Sequence, residues 1–233
     1  MSRSTPYHHG DLRNALVAAS AELAESGGPE AVTVRAAARA VGVTATAAYR
    51  HFAGRDELLA AARQRAQEEL FTSMQRALES VPPLDDPIEQ AVRTLHATGR
   101  GYIDFAITER GMFKTAFCAL EPNADMRVSA PGFQMLSVAL DTLVDVGYLA
   151  PADRPGAELV AWSGVHGLAM LLIDGALGDL GTAEREYIVE RTVTTLARGF
   201  GTGPNATAEV ATSALQPGRR SGRSRSTTSR WPG

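Results

Sequence analysis

Residues 33–59, TVRAAARAVGVTATAAYRHFAGRDELL, restrict the possible folds of this chain more than any other stretch. They contain two short helix-competent runs, 34–41 and 45–51, each preceded by a threonine, Thr33 and Thr44. A threonine hydroxyl ahead of a helix accepts from a backbone N–H that the first turn leaves unpaired. Gly42 lies between the runs, where the left-handed backbone that closes a helix costs a glycine nothing. Two short helices joined by a glycine-containing turn of three or four residues form a helix-turn-helix.

Helical periodicity continues on both sides. Leu12, Leu16, Ala19 and Leu23 recur at spacings of four, three and four over 11–26, and Gly27-Gly28-Pro29 marks the end of that helix. Ala53-Gly54 breaks the chain after the second short run. A long helix is predicted over 55–80, with Asp56 and Glu57 in its first turn, where negative charge suits the dipole. Further helices are predicted at 86–108, 111–120, 130–147, 156–179 and 183–200. The last carries Val189, Val193, Leu196 and Phe200, again spaced four, three and four. There is little strand signal. The expected fold is all-α: an N-terminal three-helix helix-turn-helix module over 1–55 and a helical ligand-binding and dimerisation domain over 56–200. Residues 201–233, rich in Gly, Ser, Thr, Pro and Arg, are expected to be disordered.

With 44% hydrophobic and 21% charged residues, the chain has the profile of a soluble globular protein. A net charge of -3 excludes a generally basic nucleic-acid binder but not a local basic surface. The single cysteine, Cys118, allows no disulfide within one chain and suits a reducing compartment. The N-terminal MSRSTPYHHGDLR lacks the apolar core of a signal peptide. The longest apolar candidate, 160–177, is broken by Ser163, His166 and Asp174. A cytoplasmic location without a membrane partner is the expectation.

A recognition helix needs exposed side chains near its N-terminus and flanking groups that hold phosphates. Ala45, Thr46 and Ala47 are small enough to approach base edges, and Thr46 can offer a hydroxyl and a methyl. Tyr49 and His51 have polar tips suited to phosphate oxygens. Arg35, Arg39, Arg50 and Arg55 add positive charge. Taken singly, each threonine is an ordinary cap and the tyrosine an ordinary packed residue. It is the combination of cap, glycine turn, second cap and Tyr-x-His-Phe that points to DNA.

The run AVGVTATAAYRHFAGRDELL resembles the helix-turn-helix of TetR/AcrR-type transcriptional regulators, with the match covering about 11–60. The resemblance implies phosphate contacts at Thr33, Thr44, Tyr49, His51 and Arg55, and base contacts at Ala45 and Thr46. Arg55 stands where the family often has lysine. Arg3 is a candidate for an arm that enters the minor groove. Trp162-Ser163-Gly164-Val165-His166-Gly167 is similar to the Trp-x-x-x-His-Gly signature of one C-terminal class of that family, the WHG domain.

In the C-terminal half, Tyr102, Phe105, Phe113, Phe117, Phe133, Trp162 and His166, with Met112 and Met135, are candidates for an effector cavity or for ordinary core. His166 is either a hydrogen-bonded core residue or a ligand contact. Val160, Gly164, Gly167 and Leu171 form a second stripe on the 156–179 helix. With Val189, Val193 and Leu196 they are the expected symmetric dimer interface. No metal site and no cofactor are expected, because no second histidine or carboxylate lies at ligand spacing from His166. No P-loop, dinucleotide fingerprint, H-E-x-x-H or nucleophile elbow is visible. The expected function is a homodimeric DNA-binding regulator, a repressor released from a two-fold symmetric operator by a small hydrophobic effector. An enzyme, or a helical scaffold with a merely structural helix-turn-helix, is the alternative. Arg219, Arg220, Arg223, Arg225 and Arg230 make the tail basic, which suits either a phosphate-binding or an inert segment.

Overall fold

A computed structural model describes residues 9–118 and 130–206. Among these residues there are nine α-helices and no strand: α1 His9–Ala31, α2 Val34–Val41, α3 Ala45–Ala48, α4 Arg55–Glu79, α5 Pro87–Thr108, α6 Arg110–Ala116, α7 Pro131–Asp145, α8 Ala157–Ile173 and α9 Thr182–Gly199. The all-helical fold class read from the sequence is the observed one. Arg3 and the five tail arginines lie outside the described residues.

Local chemistry sets most boundaries. Asp86 caps α5 by accepting from the amides of Ile88 and Glu89, with Pro87 at the first helical position. Gly28, at φ +67°, bends α1 rather than ending it, so the helix resumes for a last turn containing Pro29. Helix α8 stops at Ile173, earlier than the expected 179. There the chain folds back and the Leu177 amide donates to the Leu171 carbonyl. Residues 201–206 also depart from expectation, because they dock on the turn after α7. The Asn205 side chain donates to the Val146 carbonyl, and the amides of Gly203 and Asn205 donate to the carbonyls of Tyr148 and Gly147.

Helices α1–α3 form a small module around Leu16, Val32, Ala37, Ala48 and Phe52. Leu58, Leu59 and Ala62 of α4 belong to the same core. Ala66, Leu70 and Met74 carry it on into the second half, where it meets Tyr102, Ile103, Phe113, Val165 and Val193. A second cluster, around Leu140, Tyr148 and Phe200, closes the far end. Arg154 fastens α7 to α8 through Asp141 (2.7 Å) and Glu158 (2.8 Å).

The short α6 is wedged between α1, α4 and α5. Gly111 makes this possible: a Cβ there would fall on the carbonyl oxygens of Ala24 and Glu25 in α1. Gly111→Ala should therefore force α6 off α1. The expected cost is about 1–3 kcal/mol from overpacking, read as a fall in Tm of roughly 2–4 °C per kcal/mol.

Candidate nucleic-acid interface and ligand cavity

The first module presents the threonine-capped pair as expected. The Thr33 hydroxyl accepts from the Ala36 amide at 3.1 Å and the Thr44 hydroxyl from the Ala47 amide at 3.2 Å. Gly42, at φ +77°, closes α2 in the left-handed region. Regular α3 is only four residues long. It continues as a tight turn, with the amides of Arg50 and His51 reaching back three residues to the carbonyls of Ala47 and Ala48. Ala48 and Phe52 are buried, with the Arg13 guanidinium 5.0 Å above the Phe52 ring. That anchors one side of α3 and turns the other outward: Thr46 and Arg50 are exposed, and Tyr49 is 47% exposed. Arg35 and Arg39 on α2 are exposed too, and His51 is half-buried.

Arg55 has a different environment from the other candidates. Its guanidinium donates to the carbonyls of Val32 (3.1 Å) and Pro29 (2.9 Å) and approaches Glu30 at 3.5 Å. It ties the start of α4 to the end of α1, so these donors point into the chain.

Helices α4, α5, α7, α8 and α9 enclose a cavity of about 100 Å³. Of the aromatic candidates, Tyr102, Phe117, Phe133 and Trp162 line it; Phe105, Phe113 and His166 do not. Phe105 and Phe113 are buried in the core instead. Val193 and Leu196, expected at a dimer interface, line the cavity. Val189 and Val193 are buried within the single chain, and Leu196 fills the space over Gly164, where a Cβ would lie 2.7 Å from it. These four positions therefore serve α8–α9 packing inside the protomer. Val160 and Leu171 remain exposed, at 59% and 46%, and nothing covers Gly167.

The cavity also uses residues that the sequence reading passed over. Arg63, Gln67, Leu70 and Met74 line it from α4, and Thr98 and Gly99 from α5. Their signal was available: 63, 67, 70 and 74 are spaced four, three and four, the stripe of one helix face. Arg63 Nε and Gln67 Nε2 both donate to the Ala116 carbonyl, at 3.2 and 3.3 Å, so the end of α6 hangs from α4.

Trp162 and His166, one turn apart on α8, meet on the Tyr102 hydroxyl. Trp162 Nε1 donates to it at 3.1 Å, and it lies 2.8 Å from His166 Nδ1. Burial raises the Tyr102 phenol and lowers the His166 imidazole. With the hydroxyl already accepting from Trp162, its own proton is the one placed for Nδ1, and in that tautomer the neutral ring carries its proton on Nε2. Phe113 and Phe117 stack around His166, with centroids at 5.6 and 4.9 Å. Among the described residues no group of three or more His, Cys, Asp or Glu side chains could hold a metal, and no helix is long and apolar enough to cross a membrane.

Two family models match the chain: "Bacterial regulatory proteins, tetR family" over residues 16–62 and "Tetracyclin repressor-like, C-terminal domain" over residues 95–196. The chain belongs to the TetR family. The first match spans the helix-turn-helix and the start of α4, and the second spans the cavity from Leu95 to Leu196. Comparison with curated proteins finds no match. Among solved structures, the chain is similar to a protein of unknown function from Rhodococcus sp. RHA1 (25% identity, TM-score 0.69, covering 85% of this chain and 100% of that one). It is also similar to RolR in complex with resorcinol (16% identity, TM-score 0.61, covering 89% and 95%). A third similar structure is a SmeT–triclosan complex (16% identity, TM-score 0.53, covering 84% and 94%). In this TetR-family chain the Trp-x-x-x-His-Gly run closes around Tyr102 of a neighbouring helix.

Burial of His166 carries a pH signature. The unfolded imidazole takes up its proton near the ordinary 6.5, and the folded one only at a lower pH. In that window the unfolded chain binds more protons, so stability falls as pH drops below 6.5. The urea midpoint should decrease between pH 7.5 and 5.5, and decrease less in His166→Gln. A remaining slope is expected from His96, whose pKa burial also lowers.

Proposed function

We propose that this chain is a homodimeric transcriptional repressor, released from a two-fold symmetric operator by a small, largely apolar effector. The observation that carries the DNA half is the orientation of α3, with Ala48 and Phe52 buried and Thr46 and Tyr49 outward. A scaffold would have no use for an exposed threonine and tyrosine on so short a helix. In our reading Ala45 and Thr46 meet base edges, while Thr33, Thr44, Tyr49 and His51 meet phosphates. Arg55 orients the module, because its donors are engaged with α1.

The dimer reading rests on the outward face of α8. Val160, Gly167 and Leu171 are joined there by exposed Leu159 and Met170, with exposed Tyr187 on the neighbouring α9. Exposed apolar side chains grouped on one face favour burial against a second copy. Two copies would hold their α3 helices at the separation of successive major grooves, roughly 34–36 Å.

For the effector, the apolar cavity and the ligands of two structural relatives, resorcinol with RolR and triclosan with SmeT, support a small molecule with an apolar body. Binding is transmitted through α6. Phe117 lies in the cavity wall just beyond α6, Ala116 is held by α4, and Gly111 is seated on α1. An effector that fits best when α6 is displaced shifts the dimer away from DNA-competent spacing. The chain then acts as a cytoplasmic regulator and not as a catalyst.

Footprinting of the DNA flanking the protein's own gene tests this reading. Thr46→Ala combined with Tyr49→Ala should abolish the footprint, at about 1–3 kcal/mol for each lost specific contact. The helical circular dichroism should be unchanged, because both side chains are exposed. Val160→Asp with Leu171→Asp should give a monomer in sedimentation and lose operator binding while remaining folded. A protein without salt-sensitive preference for any symmetric duplex would overturn the proposal.

A further inference from the structure

We propose that the effector is a small monocarboxylate, an apolar body of about one ring with a single anionic headgroup taken by Arg63. This rests on the reading of the cavity as the effector site and specifies its ligand class.

Few polar atoms on the cavity wall have bonding capacity left. Among the described residues no aspartate or glutamate lines the cavity. The Thr98 hydroxyl donates to the Thr94 carbonyl, and Trp162 Nε1 to the Tyr102 hydroxyl. That hydroxyl is also engaged with His166 Nδ1 at 2.8 Å. One Gln67 N–H is held by the Ala116 carbonyl. Arg63 bonds the same carbonyl through Nε alone, and both of its terminal nitrogens have no carboxylate partner among the described residues. A half-buried cation on an otherwise apolar wall has a strong demand for an anion, because desolvation without pairing is costly.

The geometry of that cation selects the anion. A guanidinium edge takes a carboxylate in two parallel hydrogen bonds. One arginine balances one negative charge, whereas a phosphate dianion would leave excess charge buried. Size limits the rest: a cavity of about 100 Å³ takes a short alkyl chain as it stands and a single ring only as α6 gives way. For scale, an engineered apolar cavity of about 150 Å³ takes benzene. A carboxylate on Arg63 also reaches the hydrogen bond that holds α6 to α4, so headgroup recognition and the proposed relay share one side chain.

The test is calorimetry on the full-length protein with benzoate, phenylacetate and hexanoate, each paired with its primary amide. At least one acid should bind about tenfold or more tighter than its amide. Arg63→Gln should remove that preference by weakening acid binding about tenfold or more and amide binding much less, with unchanged helical circular dichroism reporting an intact fold. Gln67 still holds Ala116 in this variant. Arg63→Lys should restore part of the preference. Amides binding as well as acids, an Arg63→Gln variant with unaltered preference, or no binding by any of the six would overturn the proposal. Operator release separates this from the regulator reading. If a neutral phenol such as resorcinol frees the DNA and the acids do not, the repressor stands and the carboxylate proposal falls. If no DNA is bound at all, the repressor falls, while calorimetry still scores the carboxylate.

Discussion

The Ala116 carbonyl, at the end of a seven-residue helix, accepts from two side chains of α4, Arg63 and Gln67. On the opposite side α6 is pressed against the backbone of α1, which only a glycine at 111 permits. This short helix is therefore fixed at one end to the long α4 and along its length to the module that carries α3. A force on Phe117 or Ala116 is therefore passed to both α4 and α1. The ion pair between Lys114 and Asp174, at 2.5 Å, adds a third tether to the end of α8.

The hydrophobic core follows the same route and makes the two halves inseparable. It runs without a break from Leu16 through Phe52 and Leu58 to Leu70, Tyr102 and Val193. A boundary at residue 55, placed where Ala53-Gly54 interrupts helical periodicity, marks a change of direction in the chain. It does not divide the core. Leu58, Leu59 and Ala62 serve one half and Ala66, Leu70 and Met74 the other, at helical spacing on one rigid element. Interiors this well packed shift between discrete arrangements instead of deforming smoothly, as a transmitted ligand signal requires.

What could be read from the sequence separates by the range of the forces involved. Thr33, Gly42 and Thr44 were legible because capping is decided within four residues, and in the structure the two hydroxyls accept from the first-turn amides of Ala36 and Ala47. The partners of Val189, Val193 and Leu196 were not. Periodicity identifies a stripe as apolar but does not say whether it meets its own protomer or another copy. Here Gly164 admits Leu196, and the stripe turns inward. Arg55 shows the same limit for charge. Its position suggests phosphate, and nothing local foretells the carbonyls of Pro29 and Val32, more than twenty residues away, that hold its Nε and Nη2. Arg63 and Gln67 have the spacing of a cavity wall, but their polar ends mask it in a stripe whose apolar members are Leu70 and Met74.

The Trp162–Tyr102–His166 cluster bears on where ligand chemistry is decided in such a cavity. The Trp162 indole and His166 Nδ1 both engage the Tyr102 hydroxyl before any ligand arrives, and burial disfavours both the imidazolium and the phenolate. A closed network of this kind fixes the position of a wall: it holds α8 against α5 and sets the tilt of two aromatic faces. It has little left to offer a headgroup, since a donor already engaged must be unpaired before it can be used. On the proposed reading, discrimination between ligands falls to side chains with spare bonding capacity on α4, the helix that follows the helix-turn-helix. Trp162 on α8 then shapes the chamber, and the element that has to respond reads its occupant.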